Sequence, residues 1–320
     1  MRVVGLWAVG AGLLVALTGP PGTHGERAAV PAANPAREGS LLERVLAEHP
    51  VIWRDARVVR GQEVVVAGAA GTALDLGDIA RRADHAARTV RRIVGPRPSA
   101  GEPGRTPGAE RSGGPAWPAA WRGAGVAPAG EPVVILVPAS TEQAATLAAP
   151  AAVGGMAALA GTDHVIVEPR AFAMLTEAGR DVVLAHELTH LPMGAATDGR
   201  TPKWLIEGFA DYAGYLNADI PVRAAAAELA TEVRAGRVPT ALPAPEDFSG
   251  TRPGGGAARA YEQAWLACRY IAQRYGETRL RDFYRAASHD DLDTALTSTL
   301  GLTRESFMTA WRAYLRTELS

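Results

Sequence analysis

The stretch Gly179-Arg180-Asp181-Val182-Val183-Leu184-Ala185-His186-Glu187-Leu188-Thr189-His190-Leu191-Pro192 contains the pattern H-E-x-x-H. Residues four apart are neighbours on one face of a helix, so His186 and His190 present their imidazoles one turn apart, where a single metal ion can bridge them. Glu187 is turned about a third of the way round the helix from His186. Its carboxylate can hold a water on such a metal without being a ligand. The flanks predict a helix: Asp181 as N-cap, the apolar run Val182 to Ala185, and Pro192 where a helix usually stops. Histidines in so apolar a helix are expected to be buried, and two buried histidines either hydrogen-bond to each other or bind a metal.

A second segment, Thr201-Pro202-Lys203-Trp204-Leu205-Ile206-Glu207-Gly208-Phe209-Ala210-Asp211-Tyr212, reads as a helix with Thr201 as N-cap and Pro202 at its first position. Glu207 falls among Trp204, Leu205, Ile206 and Phe209, where a lone buried carboxylate would be costly. A metal would remove that cost. Asp211 follows one turn later, placed to accept the free N–H of a ligating histidine and fix its tautomer. The plainer alternative is that Glu207 and Asp211 form a solvated helix face.

H-E-L-T-H followed by W-L-x-E-G-x-A-D-Y resembles the gluzincin metallopeptidases of the thermolysin superfamily, and most closely the bacterial peptidase MA-like proteins. The resemblance extends in pattern over roughly residues 56–319, with the two metal motifs its specific part. It implies one zinc ion held by His186, His190 and Glu207, with Glu187 as general base and Asp211 orienting a ligand histidine. It also implies an α+β fold of the thermolysin-like zincin kind: an N-terminal lobe of mixed β-sheet and helices, a C-terminal all-helical lobe, and the active-site cleft between them.

Composition sets the outer bounds. A chain of 320 residues with 47% apolar content can build a sizeable core. A net charge of -1 gives no electrostatic case for nucleic acid or an anionic membrane surface. Lys203 is the single lysine among 33 basic residues, which reads as compositional bias toward arginine. Met1-Arg2, the apolar stretch Val3 to Leu17 and the small residues from Gly19 match a secretory signal over residues 1–25 that is short for a membrane span. The expected location is extracytoplasmic, secreted or tethered through an uncleaved N-terminus, the one route to a membrane. Cys268 is the only cysteine, so no intramolecular disulfide can form, and it reads as a small buried residue.

Residues 26–55 read as a linker leading into a short helix from Ser40 to His49. The α/β lobe is expected over 56–200. It holds a hairpin of Arg57–Arg60 with Glu63–Ala67, a helix from Asp75 or Gly77 to Val94, a buried strand within 131–138, a helix from Thr141 to Ala149 and a strand within 162–169. A Gly-, Pro-, Ala- and Arg-rich insertion with Trp117 and Trp121 occupies about 95–130. Residues 201–320 read as helices: Pro221–Ala235, Arg259–Tyr275 closed by Gly276, Glu277–Ala287, Asp290–Thr299 and Thr303–Leu319. His85, His164 and His289 read as surface residues.

Three-coordinate zinc keeps an open position and acidifies a bound water, from which Glu187 would take the proton before passing it to the leaving nitrogen. The developing oxyanion calls for a further donor, for which Tyr261 is the candidate, with Tyr212 and Tyr215 as alternatives. By the same resemblance, His164, Val165, Ile166 and Val167 would form a strand that pairs with an extended peptide substrate. Gly154-Gly155-Met156-Ala157-Ala158 resembles the Gly-x-Met-Glu-Asn segment of gluzincin aminopeptidases, but Ala157 stands where those have the glutamate that captures a free amino group. An endopeptidase acting on peptides or proteins is therefore expected rather than an aminopeptidase. The rival expectation is a non-catalytic extracytoplasmic binding module in which a metal braces two helices.

Overall fold

The computed structural model describes residues 40–95, 132–151, 153–194, 199–249 and 256–320. The stretches expected to be a secretory signal, a linker up to residue 39 and an insertion from residue 96 with Trp117 and Trp121 lie outside the described residues.

The chain opens with α1 (Leu41–Glu48), where Ser40 and Glu43 form a reciprocal capping box. Strands β1 (Arg57–Arg60) and β2 (Val64–Gly68) follow, then α2 (Leu76–Val94), started by the Asp75 carboxylate on two free N–H groups. Next come β3 (Val133–Val137), α3 (Thr141–Ala148), β4 (Ala158–Ala160), β5 (His164–Val167) and α4 (Pro169–Met174). The two motif helices are α5 (Glu177–Met193) and α6 (Lys203–Tyr215). Helices α7 (Val222–Ala225), α8 (Ala227–Arg234), α9 (Ala257–Tyr275), α10 (Glu277–Ala287), α11 (Leu292–Leu300) and α12 (Arg304–Leu319) complete the chain, with a 3-10 turn at Pro245–Ser249 before α9. The fold is α+β, with one mixed five-stranded sheet and a majority of helices.

The sheet order is β1-β2-β3-β5-β4. The three inner strands run parallel and the outer two antiparallel to them. Side chains alternate between its faces, as the pleat requires. Val65, Ala67, Val134, Leu136, Leu159 and Ile166 pack beneath α1, α3 and Trp53. Val64, Val66, Ile135, Val165 and Val167 join the larger core that holds α2 and α5 and continues through α6 and α9.

Several boundaries differ from the sequence reading. Helix α5 begins at Glu177, where the Thr176 hydroxyl accepts from Gly179 N, so Asp181 is not its cap. Asp181 instead pairs with Arg82 at 2.8 Å, tying α5 to α2. Pro192 lies in the last turn of α5, and Gly194 at φ 64° ends the helix in the left-handed region where glycine is at ease. Helix α6 starts one residue later than expected, at Lys203, and has no side-chain cap. The single helix expected over 221–235 is broken at Ala226 (φ -112°, ψ 48°), which divides α7 from α8.

Candidate metal centre

From Val182 to Leu191 every residue of α5 is buried, as is every residue of α6 from Trp204 to Gly214. Two helices can lie this deep only if their backbones approach closely. A Cβ at Gly208 would collide with the Ala264 carbonyl on α9, and one at Gly214 would lie 3.0 Å from the Val182 carbonyl oxygen on α5. Packing thus requires the glycine at Gly208 and leaves Gly214 little room for a side chain.

The approach brings three side chains together. The Nε2 atoms of His186 and His190 lie 3.0 Å apart, with their rings nearly perpendicular at 79°. Glu207 Oε2 stands 3.4 Å from His186 Nε2 and 3.9 Å from His190 Nε2. Ligands each about 2.0–2.2 Å from one ion in a tetrahedral site would be spaced by about 3.5 Å. The other oxygen of Glu207, Oε1, is buried with no hydrogen-bond partner, an orphaned acceptor that a cation would satisfy. This buried His-His-Glu group can hold a metal ion.

The surrounding groups orient the three. His186 Nδ1 and Asp211 Oδ1 are 2.8 Å apart, which keeps the proton on Nδ1 and turns Nε2 toward His190 and Glu207. Glu187 Oε2 accepts from the backbone N–H of Ala160 at 2.7 Å, so its carboxylate is aimed at β4 and stays outside the ligand group.

Burial dominates the electrostatics. It pulls the His186 pKa down, but Asp211, Glu207 and Glu187 outweigh it and hold that imidazole well above the ordinary range. Burial and the neighbouring His186 push His190 down to about 3, so His190 is neutral. Burial raises Glu187 to about 7 despite His186 and the Ala160 N–H, which favour its charged form. Glu207 is lowered, because the two histidines and Lys203 outweigh the cost of burial. Asp211 is raised, chiefly by burial.

Tyr261 on α9 is buried, packs edge-on against Phe248 at 4.9 Å between ring centroids, and has its pKa raised by burial and by the nearby charges of Glu207, Asp211 and Glu187. It lies on α9, the helix whose Ala264 carbonyl meets Gly208, one residue after Glu207 on α6. Tyr212 donates to Glu277 Oε1 at 2.9 Å, and Tyr215 stacks on Trp265 at 4.5 Å. The assignment of His164, Val165, Ile166 and Val167 as a strand open to substrate is overturned: β5 pairs with β3 on one side and β4 on the other, so both its edges are taken. His164 is half-buried, its ring held by Asp163 at 2.7 Å.

The strand beside the site is β4. It pairs with β5 through Ala157 O and Gly161 N, so Ala158 and Ala160 turn their backbone groups the other way, toward the Glu187 side. Sequence reasoning missed β4, because Ala158-Leu159-Ala160 is short and alanine suits either structure. It also missed Lys203, whose charge acts on both Glu207 and His190. Its spacing of one turn before Glu207 was the available signal.

No protein-family model matches the sequence, and a search of curated proteins finds no match.

Proposed function

We propose that the protein is an extracytoplasmic zinc peptidase of gluzincin type, hydrolysing internal bonds of peptides or proteins. The observation that carries this reading is the convergence of His186 Nε2, His190 Nε2 and Glu207 Oε2, with the partnerless Glu207 Oε1 and with Glu187 beside the group but outside it. Two nitrogens and one carboxylate oxygen are the donor set of hydrolytic zinc sites, which leave one coordination position open. A bound zinc ion would acidify a water and polarise the carbonyl to be attacked.

The chain's own residues divide the remaining work. Asp211 holds the Nδ1 proton of His186, so Nε2 is the nitrogen that would face the ion once its own proton has left. Glu187, beside the group but not part of it, is placed to take a proton from the attacking water and then give it to the leaving nitrogen. The Ala160 N–H holds that carboxylate toward β4. Tyr261, protonated and buried, is the donor available for negative charge that develops on the carbonyl oxygen.

The rival reading, a binding module with a structural metal, draws on the depth of the cluster: His186, His190 and Glu207 are only 1%, 6% and 2% exposed. Glu187 argues against it, since a bracing site has no use for a second carboxylate that is not a ligand. The test is cleavage of a mixed peptide library by zinc-loaded protein, read by mass spectrometry. Cleavage that a chelator abolishes and zinc restores is expected. A loaded protein that cuts nothing would leave the binding module as the better reading.

A further inference from the structure

Lys203, the one lysine of the chain, occupies an unfavourable position. It is half-buried in the first turn of α6, where the helix dipole disfavours a cation and the turn itself holds no acidic residue. Burial lowers its pKa, partly offset by the charge of Glu207. Its ammonium lies over the ring of Phe248, 5.3 Å from the centroid, a contact that repays only part of the lost hydration.

No carboxylate among the described residues forms an ion pair with Lys203. The carboxylates of the cluster are engaged elsewhere: Glu207 Oε2 with the two histidines, Asp211 with His186, Glu187 with Ala160. Lys203 nevertheless stands beside the site, one helical turn before Glu207 on α6. Phe248 spans the gap between Lys203 and Tyr261, with steps of 5.3 Å and 4.9 Å on its two sides. Along α6 the four residues from Lys203 to Glu207 rise about 6 Å, the length of about two residues of an extended peptide.

We propose that Lys203 is the specificity-determining cation of the site, and that it binds a carboxylate of the peptide substrate within about three residues of the bond that is cut. The carboxylate is either the C-terminus of the peptide or the side chain of an Asp or Glu. This inference rests on the peptidase reading and adds to it a class of substrate. It also accounts for a half-buried cation at a helix start that has no ion-pair partner among the described residues, which stability alone does not explain.

The test compares zinc-loaded wild type, Lys203→Met and Lys203→Arg on one peptide library supplied as free acids and as C-terminal amides. Wild type is expected to favour sites near a carboxylate about 10- to 100-fold, the scale of a hydrogen bond to a charged group. In Lys203→Met that ratio should fall to near unity, and Lys203→Arg should keep a good part of it. A preference lost on amidation assigns the C-terminal carboxylate; one that persists at Asp and Glu assigns the side chain. A ratio unchanged in Lys203→Met, or absent in wild type, overturns the role.

Retention of the same library on immobilised zinc-loaded Glu187→Gln, with and without Lys203→Met, reads binding without turnover. If wild type cuts nothing, the peptidase reading fails. If acids and amides are retained equally, the Lys203 assignment fails, whatever the outcome for cleavage. Zinc content and melting temperature, measured on each variant, separate loss of recognition from loss of metal or fold.

Discussion

The two faces of the sheet are covered by helices of different character. Beneath α1 and α3 lies a core of apolar side chains, and among the described residues no buried charged or polar residue comes from either helix. On the opposite face, the core that includes α5 and α6 encloses His186, Glu187, His190, Glu207 and Asp211, all buried. Alternation along the same strands supplies both faces, so the sheet does not distinguish them. The difference lies in the helices: α5 and α6 are buried nearly all round, so each polar group on them must find a partner or a ligand. One face serves stability, and the other spends stability on positioning.

That contrast can be broken most sharply at Glu187. Glu187→Gln should lower hydrolysis by about 100- to 10,000-fold, the usual contribution of a general base, with zinc content unchanged by elemental analysis. Undiminished turnover would show that the charged face holds no base. Leu136→Ala, on the apolar face, should cost about 2–5 kcal/mol in denaturant unfolding and leave zinc stoichiometry as it was. Loss of zinc from folded Leu136→Ala would mean that the two faces are not independent. Asp211→Asn should weaken zinc binding by about 10- to 100-fold in competition with a chromogenic chelator.

The smallest effect is a pH dependence. In the metal-free protein, Asp211 and its neighbours hold the His186 pKa above its unfolded value. The stability this supplies is fully present below the unfolded pKa and is lost as pH rises through the folded one. Zinc must displace that same proton. Zinc affinity should therefore tighten as pH rises, by up to about tenfold per unit while His186 is still protonated, and a flat titration between pH 6 and 8 would contradict this.

The parts of this arrangement visible in the sequence are those where chemistry and spacing coincide. His186, Glu187, His190, Glu207 and Asp211 stand out because polar residues at helical intervals within apolar runs are buried with the run, and burial obliges each to take a partner or a ligand. The hairpin and α2 are legible from their turn and capping residues. The start of α5 is obscured because Asp181 directly precedes the apolar run, whereas Thr176, the true cap, lies outside it. β5 reads as a strand open to substrate because β4, built around two alanines, gives almost no signal of its own. The contact of Lys203 with Phe248 joins residues 45 positions apart, which no local pattern reveals.

The central claim is that His186, His190 and Glu207 hold one zinc ion together. The most direct measurement is zinc content and affinity of purified wild type and Glu207→Ala after dialysis against a weak chelator, with circular dichroism to verify that both are folded. One zinc per wild-type chain is expected, and an affinity more than about 100-fold weaker in Glu207→Ala, beyond the usual cost of losing an outer partner. Full zinc occupancy in folded Glu207→Ala, or a wild-type chain that binds none, would contradict it.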